Sequence, residues 1–191
     1  MPSMSEYRWH DARRVVDTDM NTNEPRSHST DSSTMHAVDA GELAKMKFFE
    51  GFTPHHLAQI ARYSKRIQFA AEDMILQQGE LANRFYVIKT GRVAIECNAG
   101  GRRVLVQEIG PGEPVGFSWF FSTDTMHFTA RALEPVDAVF FYGTLLREEC
   151  ELDRDLGYEM LRRTSQTMLE RLEAMNRLLA HTLADALKKS A

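Results

Sequence analysis

The pattern of apolar and polar positions first predicts two short helices at the start of the ordered region. Leu43, Met46 and Phe49 recur at the spacing that places side chains on one face of a helix. A second apolar face follows Thr53 and Pro54, a residue pair suited to cap a helix and to occupy its first position. We therefore expect two short helices before the first strand.

Short segments with alternating apolar residues then predict β-strands. Three consecutive strands are separated by glycine-containing turns at Thr90-Gly91 and at Asn98–Gly101, and a third such turn follows at Gly110–Gly112, as is typical between antiparallel strands. Two more strands are predicted at 127–133 and 136–142. Strands that recur at roughly 8–12-residue spacing favour a small barrel or sandwich.

The pattern becomes helical again after Gly143, and from Arg154 it runs for more than 30 residues without a proline. Five apolar residues follow one another at steps of 7, 4, 3 and 4, which is the period of a coiled coil. A single helix packed on its own barrel is the alternative, but this helix is too long for that. We therefore expect its outer half to pair with a second copy of the chain. The seam residues are Leu161, Met168, Leu172, Met175 and Leu179.

Composition excludes several classes of protein. With 43% hydrophobic and 26% charged residues, the chain is an ordinary globular protein with enough apolar residues for a core. The net charge of −4 argues against a protein whose main task is to coat nucleic acid. Cys97 and Cys150 are isolated and form no CxxC pair, so neither a zinc site nor a disulfide framework is predicted.

The same features predict a cytoplasmic protein. Two isolated thiols fit a reducing compartment. No apolar run reaches the length needed to cross a bilayer, and the first residues lack the apolar core of a signal peptide. Residues 1–40 are rich in Asp, Asn, Ser and Thr, and we predict that this polar tail is disordered.

Three stretches of the strand region carry a resemblance to a known family. They are "ILQQGE" with Gly79 and Glu80, "FYVIKTGRVAI" with Gly91, and "IGPGEPVG" with Gly110, Gly112 and Gly116. Together they resemble the β-roll of the cyclic nucleotide-binding domain family, to which the catabolite activator and the Fnr-type regulators belong. Glycines suit the tight corners of such a roll, where a Cβ would resist the backbone angles.

The resemblance covers about residues 41 to 180 and implies a mainly β fold with flanking helices (α+β). The expected core is a β-roll, a double-stranded jelly-roll barrel, at 41–152. Two short helices precede the strands of this roll domain. A long C-terminal helix at 153–191 would follow, and in the family this helix closes over the ligand and forms the dimer.

In the family the ligand lies in a phosphate-binding cassette, which the resemblance places within Pro114–Leu133. The family's cassette begins with Phe-Gly-Glu, whose glutamate holds the ribose, and ends with an arginine that neutralises the cyclic phosphate. Here Gly116 is followed by Phe117, and Met126 stands at the arginine position with His127 after it. Breaking a buried charged pair typically costs about 3–5 kcal/mol. The resemblance therefore implies that cAMP and cGMP are not bound in the usual way.

Arg131 is a second candidate for contact with an anion. Residues two apart on a strand share a face, and Phe128, Ala130 and Ala132 form the more apolar set. We assign these three to the core face, which places Arg131 toward solvent or the rim of the roll. Its use as a phosphate ligand is the alternative.

The other pocket candidates each have a structural alternative. His127 can carry partial positive charge near neutral pH, or it can be a hydrogen-bonded packing residue. Ser118 can contact a ligand or cap the short cassette helix. Trp119, Phe120 and Phe121 cannot all face one way, so we expect most of them to fill the core and one or two to line the pocket.

No catalytic motif appears in the sequence, so we predict a non-enzymatic protein without catalytic residues, metal ligands or a defined cofactor. The favoured hypothesis is a sensor: the roll binds a small ligand, and the long helix passes the signal to a second copy or a protein partner. One alternative is an interaction scaffold whose pocket is plugged by Phe117 and Met126. Another is a nucleotide binder that uses different contacts.

The end of the sequence bears on nucleic-acid binding. In the activators of the family, a winged helix-turn-helix follows the long helix. Here "ADALKKSA" follows, and its Lys188-Lys189 pair is more typical of a helix C-terminus than of a DNA contact. We therefore predict no direct contact with nucleic acid and none with a membrane.

Overall fold

The structure, a computed structural model, describes residues 38–121 and 125–190. The predicted disorder of the polar tail concerns mainly residues 1–37, which lie outside the described residues. Val38 is buried, and Asp39 accepts a hydrogen bond from the Glu42 amide at 2.8 Å as the cap of the first helix. Packed structure therefore includes residues 38–40.

Of the two predicted N-terminal helices, the second is present as a continuous helix, whereas the first is divided. The first is a single α-turn, α1 (Ala40–Leu43), followed by a 3-10 turn at Lys47–Phe49. The second is α2 (Pro54–Ala61), and the Thr53 side chain caps it by accepting a hydrogen bond from the His56 amide at 3.1 Å. The threonine–proline start was therefore predicted correctly.

Eight strands form two four-stranded sheets in which all paired strands are antiparallel. The strand orders are β1-β8-β3-β6 and β2-β7-β4-β5. This architecture confirms the predicted roll. The strands are β1 (Ser64–Phe69), β2 (Met74–Leu76), β3 (Arg84–Thr90), β4 (Val93–Ala99), β5 (Arg102–Ile109), β6 (Pro114–Val115), β7 (Thr129–Ala132) and β8 (Val136–Tyr142).

Strand β3 separates two hydrophobic cores, because its side chains alternate between them. Tyr86 and Ile88 lie inside the roll with residues of both sheets, in what we call the roll core. Phe85 and Val87 pack with the helices, in what we call the helix core. The roll core also contains Phe69, Ile75, Val93, Ile95 and Ile109, and the helix core also contains Leu43, Phe49, Ile60, Leu146, Leu156 and Met160.

Two glycines show why the turns of the roll need this residue. Gly91 has a φ of 87°, and a Cβ there would lie 2.5 Å from the Pro135 carbonyl oxygen. Gly116 has a φ of 83°, and its Cβ would lie 2.6 Å from the Arg84 carbonyl oxygen. Both the backbone angle and the close approach exclude a side chain at these positions.

Two helices complete the fold, α3 (Gly143–Leu152) and α4 (Arg154–Ser190). The Asp153 carboxylate accepts hydrogen bonds from the amides of Leu156 and Asp155, each at 3.1 Å, and so caps the start of α4. At 1.5 Å per residue, its 37 residues extend for about 55 Å. Among the helices of the described part, none combines the length and the apolarity that crossing a membrane requires.

The two halves of α4 differ in burial. In the inner half, residues 154–171, the side chains of Leu156, Met160 and Thr164 are buried. In the outer half, residues 172–190, the large apolar side chains with a described burial are exposed. The predicted seam residues are all exposed on the single chain: Leu161, Met168, Leu172, Met175 and Leu179.

Candidate functional site

The cassette predicted from the sequence lies between β6 and β7. Strand β6 ends at Val115, Gly116 makes the turn, and Phe117–Phe121 form a short 3-10 helix. Because Gly116 packs directly on the backbone of Arg84, the start of the cassette is fixed to strand β3.

The far end of the cassette is joined to the turn between β2 and β3. Thr125 forms an isolated β-bridge with Leu81. The Met126 amide donates to the Glu80 carbonyl at 2.7 Å, and the Gly79 amide donates to the Met126 carbonyl at 2.9 Å. Backbone contacts therefore hold Met126 in place whatever its side chain.

Phe117, which we predict to stand at the position of the family's glutamate, packs toward the helices. Its ring is half-buried against the helix core. The guanidinium carbon of Arg171, in α4, lies 4.9 Å from the centre of the ring. This distance is within the range of a cation–π interaction, so Phe117 contacts a cation of its own chain.

Met126, which we predict to stand at the position of the family's phosphate-binding arginine, points into the roll. Its side chain is only 2% exposed and belongs to the roll core. A thioether is a weak hydrogen-bond acceptor and carries no charge. Met126 therefore places an uncharged side chain inside the roll; that a phosphate would lie there in the family's binding mode stays a prediction.

The three consecutive aromatic residues of the cassette face different ways. Trp119 is fully buried, and its ring meets Phe85 edge-on at 5.9 Å between centroids. Phe120 is half-buried against the helix core, and Phe121 is exposed. Ser118, which opens this helix with Phe117, is half-buried. Trp119 fills the core; which of these side chains would touch a ligand stays a prediction.

Arg131 lies outside the roll core and is held by two carboxylates. Its guanidinium contacts the buried Glu96 at 2.6 Å and Glu72 at 2.8 Å. The hydrogen bond to Glu96 raises the pKa of Arg131, although burial opposes the shift. A phosphate ligand would have to displace a carboxylate from this side chain.

His127 and Phe128 are both exposed. The expectation that Phe128 shares the core face with Ala130 and Ala132 is wrong, since Phe128 is 46% exposed whereas the two alanines are buried. Strand β7 begins only at Thr129. The alternation of faces therefore does not extend back to Phe128.

Arg84 is a cation near the cassette that the sequence analysis did not single out. It lies two residues before Tyr86, so the two side chains share a face of β3. The Arg84 side chain is 14% exposed and pairs with Glu80. Burial raises the pKa of the Tyr86 hydroxyl, and the charge of Arg84 opposes this shift. Strand alternation could have identified Arg84 once Tyr86 was assigned to the core.

A polar cluster fixes the start of α4 on α2. The Gln59 side-chain amide donates to Asp153 at 3.1 Å, and the Tyr63 hydroxyl donates to Glu149 at 2.8 Å. The Leu156 amide, with Gln59, lowers the pKa of Asp153. The inner end of the long helix is therefore anchored away from the cassette.

The described residues include no group of three or more His, Cys, Asp or Glu side chains arranged to hold a metal ion.

A cleft of about 730 Å³ lies between α1 and the first sheet. In it Glu42 pairs with both Arg66 and Lys89. Cys97 and Cys150 are free thiols, and burial raises the pKa of Cys150 to about 12.

Residues 66–153 match the family model described as the cyclic nucleotide-binding domain. The matched segment runs from β1 to the residue after α3 and contains the whole cassette. The strands of the roll from β1 to β8 thus match the cyclic nucleotide-binding domain family. The resemblance inferred from the sequence is therefore confirmed.

Two curated relatives extend this assignment. The CRP-like cAMP-activated global transcriptional regulator of Mycobacterium tuberculosis is 26% identical over 139 residues, which are 72% of this chain and 60% of the relative. This chain thus spans less than two thirds of that regulator. The acetyltransferase Pat of Mycolicibacterium smegmatis is 28% identical over 99 residues, covering 52% of this chain and 30% of the enzyme. The family's roll thus occurs in a regulator and within an enzyme.

Solved structures share the fold. A proposed cyclic nucleotide-binding protein of Geobacter metallireducens has a TM-score of 0.65 and 25% identity, covering 71% of this chain and 98% of its own. The regulatory subunit of a cAMP-independent protein kinase A from Trypanosoma brucei has a TM-score of 0.55 and 25% identity, covering 65% and 44%. A triple variant of that subunit, with one change from threonine to arginine, is bound to cAMP.

Proposed function

We propose that this chain is a non-enzymatic regulatory module whose cassette responds to a ligand other than a conventionally bound cyclic nucleotide. The observation that carries the proposal is Met126, whose buried side chain belongs to the roll core. At the other end of the cassette, the family's glutamate position holds Phe117, which packs on the helix core. Neither end offers the charge that the family uses for ribose and phosphate.

Energetics support an altered ligand. A cyclic phosphate buried beside Met126 would lack a charge-assisted, bidentate partner. Loss of one partner of a buried pair costs about 3–5 kcal/mol, which corresponds to an affinity lower by a factor of about 10² to 10³ or more. Arg131 offers little compensation, because Glu96 and Glu72 already hold its guanidinium.

The similar proteins include one that is cAMP-activated and one that is cAMP-independent. The mycobacterial regulator is named as cAMP-activated, whereas the trypanosome subunit is named as cAMP-independent and a variant with an introduced arginine is bound to cAMP. We place this chain with the cAMP-independent type because of Met126.

A plugged scaffold is the second candidate, and the buried Met126 favours it as well. In that case the roll binds no small molecule and presents α4 to partners. Arg84 distinguishes the two candidates, because it is a cation on the face of β3 that lines the roll. A sensor would respond to an Arg84→Met substitution with altered ligand binding, whereas a scaffold would change only in stability.

The ligand question is tested by calorimetric titration of the full chain with cAMP and cGMP, followed by a thermal-shift screen of other nucleotides and small aromatic acids. We expect no saturable binding of cAMP or cGMP, and a stabilising hit in the screen would identify a sensor. Binding of cAMP in the low micromolar range would overturn the proposal. A chain that melts at one temperature in every condition would support the scaffold.

We also propose that two copies pair through the seam on α4. The five seam residues, and Leu183 beyond them, are exposed on the single chain, and a period of 3 and 4 suits a two-helix interface. Among the described side chains of the outer half, none belongs to the roll core or to the helix core. Pairing with a second copy would bury the exposed seam residues and would join two rolls through the paired helices.

Sedimentation equilibrium tests this pairing. We expect a dimer at micromolar concentration, and a Leu172→Glu, Leu179→Glu double variant should be monomeric with its melting temperature little changed. A Glu173→Lys, Arg177→Glu swap reverses an exposed pair within the helix and serves as the matched control. A wild-type chain that sediments as a monomer at high micromolar concentration would contradict the proposal.

The remaining parts of the proposal concern the setting of the module. We propose that it acts in the cytoplasm, since both cysteines are free thiols, and that it passes its signal to a protein partner. The net charge of −4 favours such a partner over direct contact with nucleic acid.

A further inference from the structure

One side chain of the long helix reaches across to the start of the cassette. The Arg171 guanidinium donates a hydrogen bond to the Pro114 carbonyl oxygen and lies over the Phe117 ring, with 4.9 Å between the guanidinium carbon and the ring centre. Arg171 belongs to α4, and Pro114 and Phe117 flank the cassette turn. A single cation therefore joins the helix to both sides of this turn.

The contact is mostly withdrawn from water. Burial lowers the pKa of Arg171, and the charge of Glu113 opposes this effect. Desolvating a guanidinium is costly unless partners replace its water. Here the Pro114 carbonyl and the Phe117 ring replace part of that water, and Glu113 contributes a favourable charge, while the buried Arg171 Nε has no hydrogen-bond partner among the described residues. A cation–π contact is worth more in such a desolvated place than at an exposed site.

The position of Arg171 along α4 gives the contact a mechanical role. The preceding turns are anchored by the buried Leu156, Met160 and Thr164. Beyond Arg171, the side chains of Leu172 and Met175 are exposed. Arg171 therefore stands at the border between the packed inner half and the outer half.

The other end of the contact is fixed to the roll. Gly116, the residue before Phe117, packs against the Arg84 backbone so closely that no side chain fits. Two residues after Phe117, Trp119 is fully buried. The backbone of Phe117 thus lies between two tightly packed residues of the roll.

We propose that Phe117 and Arg171 form an intramolecular latch, which holds α4 on the cassette through contacts of the chain alone and transmits rearrangement of the cassette to the outer half of α4. The residue at the position of the family's ribose-binding glutamate thereby serves as the output contact. Moving the ring away would leave a buried guanidinium with one partner fewer, which favours release of the helix.

This inference deepens the proposed function, since it assumes that α4 is the output element. The latch itself is independent of the pairing of two chains. A monomeric chain with a coupled Phe117–Arg171 contact would refute the pairing and keep the latch. A dimer without that coupling would support the pairing and refute the latch.

Hydrogen–deuterium exchange of the full chain tests the latch through peptides that cover residues 165–180. We expect Phe117→Leu and Arg171→Met each to speed exchange there by about tenfold, with the double variant no faster than either single variant. Phe117→Tyr retains an aromatic ring and should leave exchange unchanged. Arg162→Met removes an exposed arginine of the same helix and is the matched control.

Arg171→Lys provides the sharper variant, because lysine keeps the charge but lacks the planar group that stacks on a ring. We expect it to exchange faster than the wild type and slower than Arg171→Met. Exchange that stays at the wild-type rate in Phe117→Leu would overturn the latch. The latch would also be overturned if the double variant speeds exchange by the product of the two single-variant factors. That result would mean that the two residues do not interact.

Discussion

Phe117 and Met126, the two residues that we predict to replace the family's glutamate and arginine, pack in different ways. At the start, Phe117 turns toward the helices and meets Arg171 of the same chain. At the far end, Met126 turns into the roll and is buried among its apolar side chains. Phe117 therefore connects the roll to the long helix, and Met126 fills the interior of the roll. Under the proposed function, such a cassette keeps its connection to the helix without its usual ligand.

The largest expected effect of this difference is on stability. Met126→Ala should lower the free energy of unfolding by about 3 kcal/mol, because it leaves a cavity in the roll core. Phe117→Leu should lower it by only about 1 kcal/mol, since the ring is half-buried and a large apolar side chain remains. Urea unfolding monitored by circular dichroism measures both. Met74→Ala, at an exposed methionine, is the control. Equal losses of unfolding free energy in Met126→Ala and Phe117→Leu would mean that the two ends of the cassette do not differ in packing.

A somewhat smaller effect is expected where the far end continues into β7. Arg131→Met removes the main partner of the buried Glu96, and we expect a loss of about 2 kcal/mol. This value is below the usual cost of breaking a buried pair, because Arg103 still lies 3.9 Å from Glu96. Arg92→Met breaks only exposed pairs and should cost less than about 0.5 kcal/mol. A neutral Arg131→Met would show that Arg131 is available for another role.

The smallest expected effect concerns pH and the root of α4. The Leu156 amide lowers the folded-state pKa of Asp153 below its usual value of 3.8. Its carboxylate therefore stabilises the fold above that value, and this contribution is lost as the pH falls through the lower folded-state pKa. Asp153→Asn should flatten the decline in stability of the wild type between about pH 5 and pH 2. Thermal melts in that range measure it.

The decline of stability in acid also distinguishes the two contacts that hold α4, one at Asp153 and one between Phe117 and Arg171. Asp153 lies at the root of the helix, whereas the Phe117–Arg171 contact lies at its middle. We therefore expect Phe117→Leu to keep the full acid sensitivity of the wild type. A variant that lost both the contact and the acid sensitivity would show that the two anchors act as one.

Much of the fold could be predicted from the sequence because its signals are local. Glycine turns and period-2 alternation located β3, β4, β5 and β8, and the proline-free run located α4. The short α1 shows the limit of this approach, since helical spacing across Leu43, Met46 and Phe49 spans one α-turn and a separate 3-10 turn. Phe128 shows another limit, because alternation says nothing about where a strand begins.

The site was only partly accessible to the same reasoning. The family pattern singled out Gly116, Phe117 and Met126 as candidates, and their part in ligand binding stays a prediction. It could not say that Phe117 faces the helices, which depends on how α4 crosses the cassette. Arg171 gave no signal at all, since an arginine among the charged residues of a helix is typical of a solvated face. Only the tertiary contact distinguishes it from Arg162, which is exposed on the same helix.

The central claim is that Met126 leaves the cassette without its phosphate partner. Calorimetric titration of cAMP into the Met126→Arg variant tests this most directly, with Met74→Arg as a control that adds the same charge at an exposed site. We expect the affinity for cAMP to rise by at least about 100-fold in Met126→Arg over the wild type, and to stay unchanged in Met74→Arg. Equal affinity of the wild type and Met126→Arg, in a variant that remains folded, would contradict it.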